Sequence, residues 1–289
     1  MSTTSRFAPL GMAFFLAACG GNVSPSSSSG TDSTRPSTTN PASATFDVST
    51  LPGLSLWLQS TKGIVFDKVH TRVLGWNDQS PSHNDLALKQ GVGATRDGIW
   101  LGQTPTVAFD GASAYQFPAG TPLSDWSGDF LIEIVVHAQY TKALGSQGLF
   151  SCVGAQSNVA GSTVASIYLS GGQTMECKVD SDGYSNGSAT KPVVDPTGYV
   201  ISFQRSGAVL TSRRNGAVDK TQTFDHVTSP LCTSSMFGAM DLDATGAPTS
   251  FLSSDVAEVI VSKGTTPSAT VTSLETALMA KYQIGTSND

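Results

Sequence analysis

Apolar and polar residues alternate with a period of two over most of the chain after Phe46. The clearest case is segment 130–137, where one face carries only large apolar side chains: Phe130, Ile132, Ile134 and Val136. The opposite face carries Leu131, Glu133, Val135 and His137. The same alternation recurs in segments 165–170, 175–180 and 199–204. Alternation of this kind over 5–10 residues predicts half-buried β-strands.

Two segments near the ends of this region add detail. Segment 54–59 places Leu54, Leu56 and Leu58 on one face and Ser55, Trp57 and Gln59 on the other. Segment 256–261 is apolar on both faces except at Glu258, which predicts a central strand. Asn215-Gly216 is the strongest hairpin signal, because both residues tolerate the positive φ of a tight turn.

One segment has helical periodicity. Its apolar residues are spaced by three, four and four positions: Val271, Leu274, Leu278 and Tyr282. Thr272 and Glu275 have the spacing of a capping box, and Lys281 and Gly285 fit the end of a helix. Many short strands followed by one helix predict an all-β fold, a two-sheet antiparallel jelly-roll sandwich with a short C-terminal helix.

The first 45 residues have a different composition. Arg6 precedes a short apolar stretch that ends in Leu16-Ala17-Ala18-Cys19, and 21 of the next 26 residues are Ser, Thr, Pro, Gly or Asn. The first part resembles a bacterial lipoprotein signal, in which the thiol of Cys19 would carry the lipid. An ordinary secretory signal is the alternative. We therefore predict a signal at 1–19, a disordered tether at 20–45, a domain at 46–285 and a tail at 286–289.

A set of motifs within residues 51–284 resembles one known family. In order, these motifs are Leu54-Ser55-Leu56-Trp57-Leu58, Trp76-Asn77-Asp78-Gln79-Ser80, Phe109-Asp110-Gly111, Ala257-Glu258-Val259-Ile260-Val261 and Lys281-Tyr282. They resemble the laminin-G-like, or concanavalin A-like, jelly-roll domains of bacterial surface proteins. The resemblance implies that Trp57 and Trp76 are framework residues of the core. It does not imply one ligand, because this fold serves lectins, glycanases, lyases and spacer domains.

Composition excludes some functions. The chain has 16 Lys and Arg against 22 Asp and Glu, a formal net charge of −6, which does not provide the basic surface of a nucleic-acid-binding protein. Charged residues are only 13% of the chain, whereas it contains 40 Ser and 32 Thr. Hydroxyl-rich, charge-poor sequences are typical of extracytoplasmic all-β proteins.

Catalytic motifs of the family are not recognisable. Asp255 and Glu258 are three residues apart, which would place them on opposite faces of a strand, so we expect Glu258 to be a structural acid. Tyr140 and His137 lack the surrounding motif of polysaccharide lyases, and His137 is expected to be a partly buried strand residue. Ser188-Ala189-Thr190-Lys191 matches a serine-enzyme motif, but we expect it to lie in a Gly/Ser loop that runs into Pro192 rather than at a helix start. We therefore expect a protein that is not an enzyme.

The sequence also contains candidate binding residues, for a metal ion and for a sugar. Asp241, Asp243 and Thr245 resemble part of a calcium-binding loop. Asp180 and Asp182 form a second, shorter fragment of this kind. The alternative is that these residues only form turns, which Asp and Gly favour without a metal ion. Calcium is the one cofactor suggested. Aromatic residues beside predicted turns are candidate platforms for sugar stacking, with rim packing as the alternative: Trp100, Tyr115, Trp126, Tyr140 and Tyr184.

Three cysteines remain after Cys19. If residues 149–153, 164–170 and 174–179 are consecutive strands, Cys152 and Cys177 are two strands apart, too far for a disulfide. Cys177 is then a core residue, and a disulfide that involves Cys232 stays open.

These observations favour a binding or adhesion module of the bacterial cell envelope that is anchored by lipid at Cys19 and, by the family resemblance, recognises glycan. In a Gram-negative host, Gly20 after Cys19 favours the outer membrane, with the domain on the periplasmic face or at the cell surface. One alternative is a structural envelope lipoprotein that contacts a protein partner. The other is a glycan-active hydrolase or lyase of the same fold.

Overall fold

A computed structural model describes residues 45–96, 100–121, 125–138, 145–154, 163–171, 173–181, 184–193, 198–224, 232–242 and 247–285. It describes the backbone alone at residues 100, 163, 164, 180, 181, 184–187, 241 and 242. The predicted signal, with Cys19, and the tether up to residue 44 lie outside the described residues, and the domain boundaries given above stay predictions.

Strands dominate the described part of the chain. In chain order they are β1 (Leu54–Gln59), β2 (Ile64–Phe66), β3 (Val73–Trp76), β4 (Leu86–Gln90), β5 (Trp100–Leu101), β6 (Thr104–Pro105), β7 (Val107–Ala108), β8 (Ala114–Gln116), β9 (Phe130–His137), β10 (Gln147–Gly154), β11 (Thr163–Leu169), β12 (Thr174–Ser181), β13 (Tyr184–Pro192), β14 (Tyr199–Ser206), β15 (Val209–Arg214), β16 (Ala217–Thr223), β17 (Cys232–Phe237), β18 (Asp241–Leu242), β19 (Pro248–Thr249) and β20 (Asp255–Lys263). A 3₁₀ turn (Val48–Thr50) precedes them and helix α1 (Ser268–Tyr282) follows them.

The strands form two main antiparallel sheets, and the predicted sandwich with a C-terminal helix is confirmed. The helix-side sheet has the order β1-β20-β9-β14-β15-β16, with β7 beside β20. The nine-stranded sheet has the order β13-β12-β11-β10-β17-β8-β4-β3-β2. Two short hairpins, β5–β6 and β18–β19, lie apart from these sheets. Asn215 and Gly216 have φ values of 48° and 82° and connect β15 to β16, as the hairpin signal predicts.

The main core lies between the two sheets. The inner face of β9 contributes the four side chains that the alternation identified: Phe130, Ile132, Ile134 and Val136. Trp76, predicted as a framework residue, is buried among them, and its Nε1 donates to the carbonyl oxygen of Gln59 at 2.9 Å. The period-two pattern thus identified this part of the core correctly, because the side chains on the inner face of β9 are all buried.

A second apolar cluster lies on the outer face of the helix-side sheet, under α1. Leu131 and Val135 of β9 pack there with Ala257 and Ile260 of β20 and with the apolar face of the helix: Val271, Leu274, Leu278 and Tyr282. Because β9 and β20 bury both faces, β20 is a central strand, as predicted. Leu54 also packs in this cluster, not with Leu56 and Leu58, because the pairing of β1 with β20 shifts by one residue after Leu54.

A β-bulge in β20 overturns one prediction. Val256 pairs with Val136 and Glu258 pairs with Val135, so Ala257 is the extra residue. A bulge shifts the alternation by one position. Asp255 and Glu258 therefore share the outer face of the sheet instead of lying on opposite faces.

Helix α1 begins four residues earlier than the expected capping box. Pro267 is the N-cap residue, with no side-chain hydrogen bond, and the helix ends at Gln283 in the left-handed conformation rather than at Gly285. The capping-box prediction is wrong because Glu275 lies two turns inside the helix and points into the sheet, where it is 1% exposed. Lys281 is in the last turn, as predicted.

Cys152 of β10 and Cys232 of β17 form a disulfide, with their Cα atoms 5.2 Å apart. Cys177 of β12 is a buried free thiol. Strand β11 separates β10 from β12, so the reason for excluding a Cys152–Cys177 pair holds.

Candidate functional site

A groove opens between α1, the 3₁₀ turn and strands β1 and β20. Its volume is about 340 Å³. Its walls are mainly apolar and are formed by Thr45, Phe46, Asp47, Val48, Trp57, Glu258, Leu274, Ala277, Leu278, Ala280 and Lys281. The chain therefore enters the domain along one lip of this groove, and the C-terminal helix forms the other.

Glu258 organises the groove. Its Oε1 accepts hydrogen bonds from Trp57 Nε1 at 2.5 Å and from Gln59 Nε2 at 3.2 Å. Its Oε2 accepts from Lys281 Nζ and from the Tyr282 hydroxyl, each at 2.7 Å. The prediction that Glu258 is a structural acid held by neighbouring donors is confirmed. A carboxylate with four donors has its lone pairs engaged, which suits positioning better than proton abstraction.

Burial and the Glu258 charge together set the proton affinity of Tyr282. Burial, followed by the neighbouring carboxylate, raises the pKa of the Tyr282 hydroxyl well above its usual range. The phenol is therefore protonated at neutral pH and donates its hydrogen to Glu258.

Trp57 presents the aromatic surface of the groove. Its side chain is only partly buried and packs at the edge of the outer cluster. The expectation that Trp57 belongs to the core is therefore wrong, because its side chain lies on the outer face of the sheet. The signal was present in the sequence, because Trp57 alternates with Leu56 and Leu58, which face the main core. A fixed, partly exposed indole is the kind of surface on which a sugar ring can stack.

Two of the predicted platform residues are core residues. Tyr115 is 2% exposed, accepts from the backbone nitrogen of Ala94 at 2.8 Å and donates to the carbonyl oxygen of Val73 at 2.7 Å. Burial raises the pKa of the Tyr115 hydroxyl to about 12. Trp126 is also 2% exposed and packs against Phe130 and Phe150. Neither ring is free to stack on a sugar, because inward packing and not the nearby turn determines where each side chain points.

The other predicted binding residues are described in part or not at all. Trp100 is in β5, Tyr184 in β13 and Asp241 in β18, each with its backbone alone described. Tyr140, Asp243, Thr245 and Asp182 lie outside the described residues, so both calcium loops stay predictions. Among the side chains that the structure describes, no group of three or more His, Cys, Asp and Glu residues is placed to hold a metal ion.

His137 and Asp255 lie opposite each other on β9 and β20. Nδ1 of His137 is 3.4 Å from Oδ2 of Asp255, and the imidazole is largely buried, as expected for a strand residue. Ser188 is buried in β13, 3.0 Å from the Ser212 hydroxyl, and Lys191 is exposed. The Ser188–Lys191 motif therefore lies on strand β13, and the expectation that it lies in a loop is wrong. It does not begin a helix, as the serine-enzyme motif would require.

A smaller polar cluster lies on the outer face of the nine-stranded sheet. The Tyr168 hydroxyl donates to Glu176 Oε2 at 2.7 Å, and Lys178 Nζ is 5.1 Å from the centre of the Tyr168 ring. Tyr168 is itself buried, so this cluster presents a pair of opposite charges rather than an aromatic platform.

The fold defines the class of protein as a two-sheet antiparallel β-sandwich with a C-terminal helix. No protein-family model matches the sequence, and no curated protein matches it either. No helix among the described residues combines the length and apolar character that a membrane span requires.

Solved structures share this fold at low sequence identity. One is a structure of botulinum neurotoxin type C, whose cell entry is described as dependent upon interaction with two ganglioside molecules. It has a TM-score of 0.56 and 9% sequence identity, over 78% of this chain and 51% of that chain. The botulinum neurotoxin DC binding domain in complex with rat synaptotagmin II has a TM-score of 0.55 and 9% identity over 78% and 52%. Trypanosoma rangeli sialidase in complex with sialic acid has a TM-score of 0.52 and 12% identity over 78% and 33%. This chain thus spans about half the length of the toxin structures, and the likeness shows the fold alone.

Proposed function

We propose that this protein is a lipid-anchored binding or adhesion module of the bacterial cell envelope that recognises glycan in the groove beside Trp57. The observation that carries the proposal is the Trp57–Glu258 pair, which holds a partly exposed indole at the wall of a groove of about 340 Å³. That volume is at the lower end for ligand sites, which suits one or two sugar residues.

The groove combines the two kinds of surface that a sugar ring needs. Trp57 offers a flat apolar ring to the C–H face of a sugar, and Phe46 and Leu278 extend the apolar wall. Lys281 and Asp47 offer a donor and an acceptor for hydroxyl groups at the lips. The side chain of Lys281 is 41% exposed, so its remaining N–H groups are accessible from solvent.

The solved structures that share this fold support a glycan as the class of ligand, but not a particular glycan. A botulinum neurotoxin with this fold interacts with gangliosides, and the sialidase structure holds sialic acid. The family resemblance of residues 51–284 to laminin-G-like and concanavalin A-like domains supports the same proposal.

The anchor and the location rest on the sequence. The Leu16-Ala17-Ala18-Cys19 motif supports lipidation at Cys19, and Gly20 after it favours the outer membrane in a Gram-negative host. Two or more acyl chains at ~0.8 kcal/mol per buried methylene would make this anchor stable.

Binding to a panel of immobilised oligosaccharides tests the glycan proposal. We expect the full chain to bind at least one oligosaccharide, and Trp57→Ala to weaken that binding about 30-fold, as for a central aromatic contact. Trp57→Phe keeps an aromatic ring but loses the hydrogen bond to Glu258 that orients it, so its affinity should lie between those of the wild type and Trp57→Ala. Lys178→Ala, on the nine-stranded sheet, is the matched control and should bind like the wild type. If Lys178→Ala abolished binding and Trp57→Ala did not, the glycan site would lie on the nine-stranded sheet and the proposed groove would be wrong.

A second candidate is a protein partner, since a toxin domain of this fold forms a complex with synaptotagmin. Four exposed apolar side chains around β2–β4 offer a surface for it: Val65, Val69, Leu74 and Val92. Failure to bind any oligosaccharide, together with capture of one envelope protein that Val65→Ser prevents, would favour this candidate.

The proposal contains no catalytic step. Release of product from a polysaccharide panel, abolished by substitution of a single carboxylate, would show instead a glycan-active enzyme.

A further inference from the structure

A buried polar cluster lies beneath α1, next to the groove. Glu133 of β9, Ser202 of β14 and Arg213 of β15 are directly opposite one another on three adjacent strands. Glu275 of α1 points down onto them. Glu133 and Glu275 are each 1% exposed, so two carboxyl groups share one buried site.

The hydrogen-bond geometry fixes the number of protons in this cluster. The Ser202 hydroxyl oxygen is 2.6 Å from Glu133 Oε2 and 2.6 Å from Glu275 Oε1. A hydroxyl has one hydrogen and donates to only one of these oxygens. The other short contact needs a hydrogen from a carboxyl group, so one of the two glutamates is protonated.

Arg213 decides which glutamate keeps the proton. Its Nε donates to Glu275 Oε1 at 2.7 Å and its Nη2 donates to Glu275 Oε2 at 2.8 Å. A two-pronged guanidinium contact stabilises an ionised carboxylate. Arg213 also attracts Glu133 through space, but no hydrogen bond joins the two side chains, and among the described residues Glu133 Oε1 has no hydrogen-bond partner. The proton is therefore on Glu133 Oε2, which donates to Ser202, and Ser202 donates to Glu275.

Electrostatics agrees with this assignment. Burial, followed by repulsion from Glu275, raises the pKa of Glu133 well above its usual range. The hydrogen bonds from Arg213 to Glu275 raise the pKa of Arg213, so this charge persists.

The other titratable groups on this face have partners of their own. Glu258 of β20 is bound by Lys281 and Tyr282 of α1, and Asp255 of β20 faces His137 of β9. Asp129, which precedes β9, accepts from Thr265 Oγ1 at 2.6 Å and from the backbone nitrogen of Gly207 at 2.7 Å. None of these contacts supplies Glu133 with a counter-charge.

We propose that the proton held between Glu133 and Glu275 is a latch that keeps α1 on the sheet, and that alkaline pH opens the latch and widens the groove. Loss of the proton would leave two carboxylates around one arginine in a buried site. The repulsion acts between β9 and α1, and α1 supplies Leu274, Leu278 and Lys281 to the groove wall. The part that concerns the ligand rests on the proposed function.

The direction of the pH effect follows from proton linkage. The folded state holds a proton on Glu133 at pH values where the unfolded chain has released it. The docking of α1 is therefore strongest below the ordinary glutamate pKa of ~4.3. Above that value, the equilibrium constant for docking of α1 falls by up to about tenfold for each pH unit. The fall ends once the pH exceeds the raised pKa of Glu133.

Amide hydrogen exchange of the full chain between pH 5 and 9, corrected for intrinsic exchange rates, tests the latch. In the wild type, we expect protection of residues 268–282 to fall with pH while protection of β14 stays constant. Glu133→Gln keeps a donor to Ser202 without a titrating proton, so its α1 protection should not change with pH. Asp129→Asn, which removes a carboxyl group with its own donors, should follow the wild type. A constant α1 protection in the wild type, or an unchanged slope in Glu133→Gln, would overturn the proposal.

A second measurement does not depend on any variant folding. Carboxyl carbon NMR of the wild type should show Glu133 titrating well above the ordinary range, whereas titration near ~4.3 would refute the latch. If α1 loosens with pH as expected but the affinity for the oligosaccharide bound in the panel does not change, the latch stands and the groove is not the ligand site.

Discussion

The indole Nε1 of Trp57 donates a hydrogen bond of 2.5 Å to Oε1 of Glu258, and so connects the first strand of the sandwich to the last. The contact fixes the ring plane of Trp57 at the wall of the groove. Helix α1 completes the arrangement, because Lys281 and Tyr282 bind the other oxygen of the same carboxylate. One buried acid therefore orients both the aromatic ring and the helix that faces it.

Removing this carboxylate should cost more stability than removing its charged partner. We expect Glu258→Ala to lower the free energy of unfolding by about 3 kcal/mol, since it leaves buried donors unpaired. Lys281→Ala should cost about 1 kcal/mol or less, because the lysine side chain is 41% exposed and water screens the ion pair. Urea unfolding of both variants measures the difference. An effect of Lys281→Ala as large as that of Glu258→Ala would contradict the central role of the carboxylate.

The disulfide should stabilise the fold through the long loop that it closes. Cys152 and Cys232 are 80 residues apart in sequence, and disulfides of this kind contribute about 2–4 kcal/mol. The Cys152→Ala/Cys232→Ala double variant should lose that amount in urea unfolding. As a control, a reducing agent should lower the wild type to the level of the variant and leave the variant unchanged. A wild type insensitive to reduction would argue against the pairing.

The remaining thiol of the sandwich should be unreactive in the folded protein. Cys177 is buried, and burial raises its pKa to about 12, so almost no thiolate is present at pH 8. We expect iodoacetamide to modify Cys177 only after denaturant is added, as measured by mass spectrometry of the peptide that contains it. Rapid modification without denaturant would mean that β12 opens readily.

Much of the fold could be predicted because strand alternation is a local property. The inner face of β9, the central position of β20 and the apolar face of α1 all follow from residues a few positions apart. The bulge at Ala257 could not be predicted, because it appears only when β20 is paired with β9. That single extra residue is what places Asp255 and Glu258 on one face.

The candidate site was harder to predict for the same reason. Glu258, Trp57 and Lys281 come from three distant parts of the chain, and only the strand register brings them together. Tyr115 and Trp126 were expected at the surface because turns are nearby, but the sandwich buries large rings wherever they point inward. Trp57 was expected in the core but lies on the outer face, which its alternation with Leu56 and Leu58 indicates.

Acid should weaken the fold partly through Asp129. The Thr265 hydroxyl and the backbone nitrogen of Gly207 donate to this carboxylate and hold the pKa of Asp129 below its usual range. A lowered pKa contributes stability that is present above the unfolded value of ~3.9 and is lost as pH falls through the folded value. Thermal unfolding between pH 2 and 6 should therefore show a shallower acid loss for Asp129→Asn than for the wild type. Equal slopes would mean that these hydrogen bonds do not select the charged form.

Lipidation has a direct test in the host cell. Cys19→Ser removes the thiol that would carry the lipid, and we expect the protein to move from the detergent phase to the aqueous phase in phase partitioning. Cys177→Ser is the matched control and should stay in the detergent phase. Unchanged partitioning of Cys19→Ser would refute the lipoprotein prediction.

The most direct test of the groove as the glycan site is the indole N–H spectrum of the ¹⁵N-labelled protein during titration with an oligosaccharide that it binds. The four tryptophans give separate Nε1–H signals, assigned by substituting each one with phenylalanine. We predict that the Trp57 signal shifts with saturation, while the signals of the buried Trp76 and Trp126 do not. Saturation with no change at Trp57 would show that the glycan binds elsewhere and would contradict the proposed site.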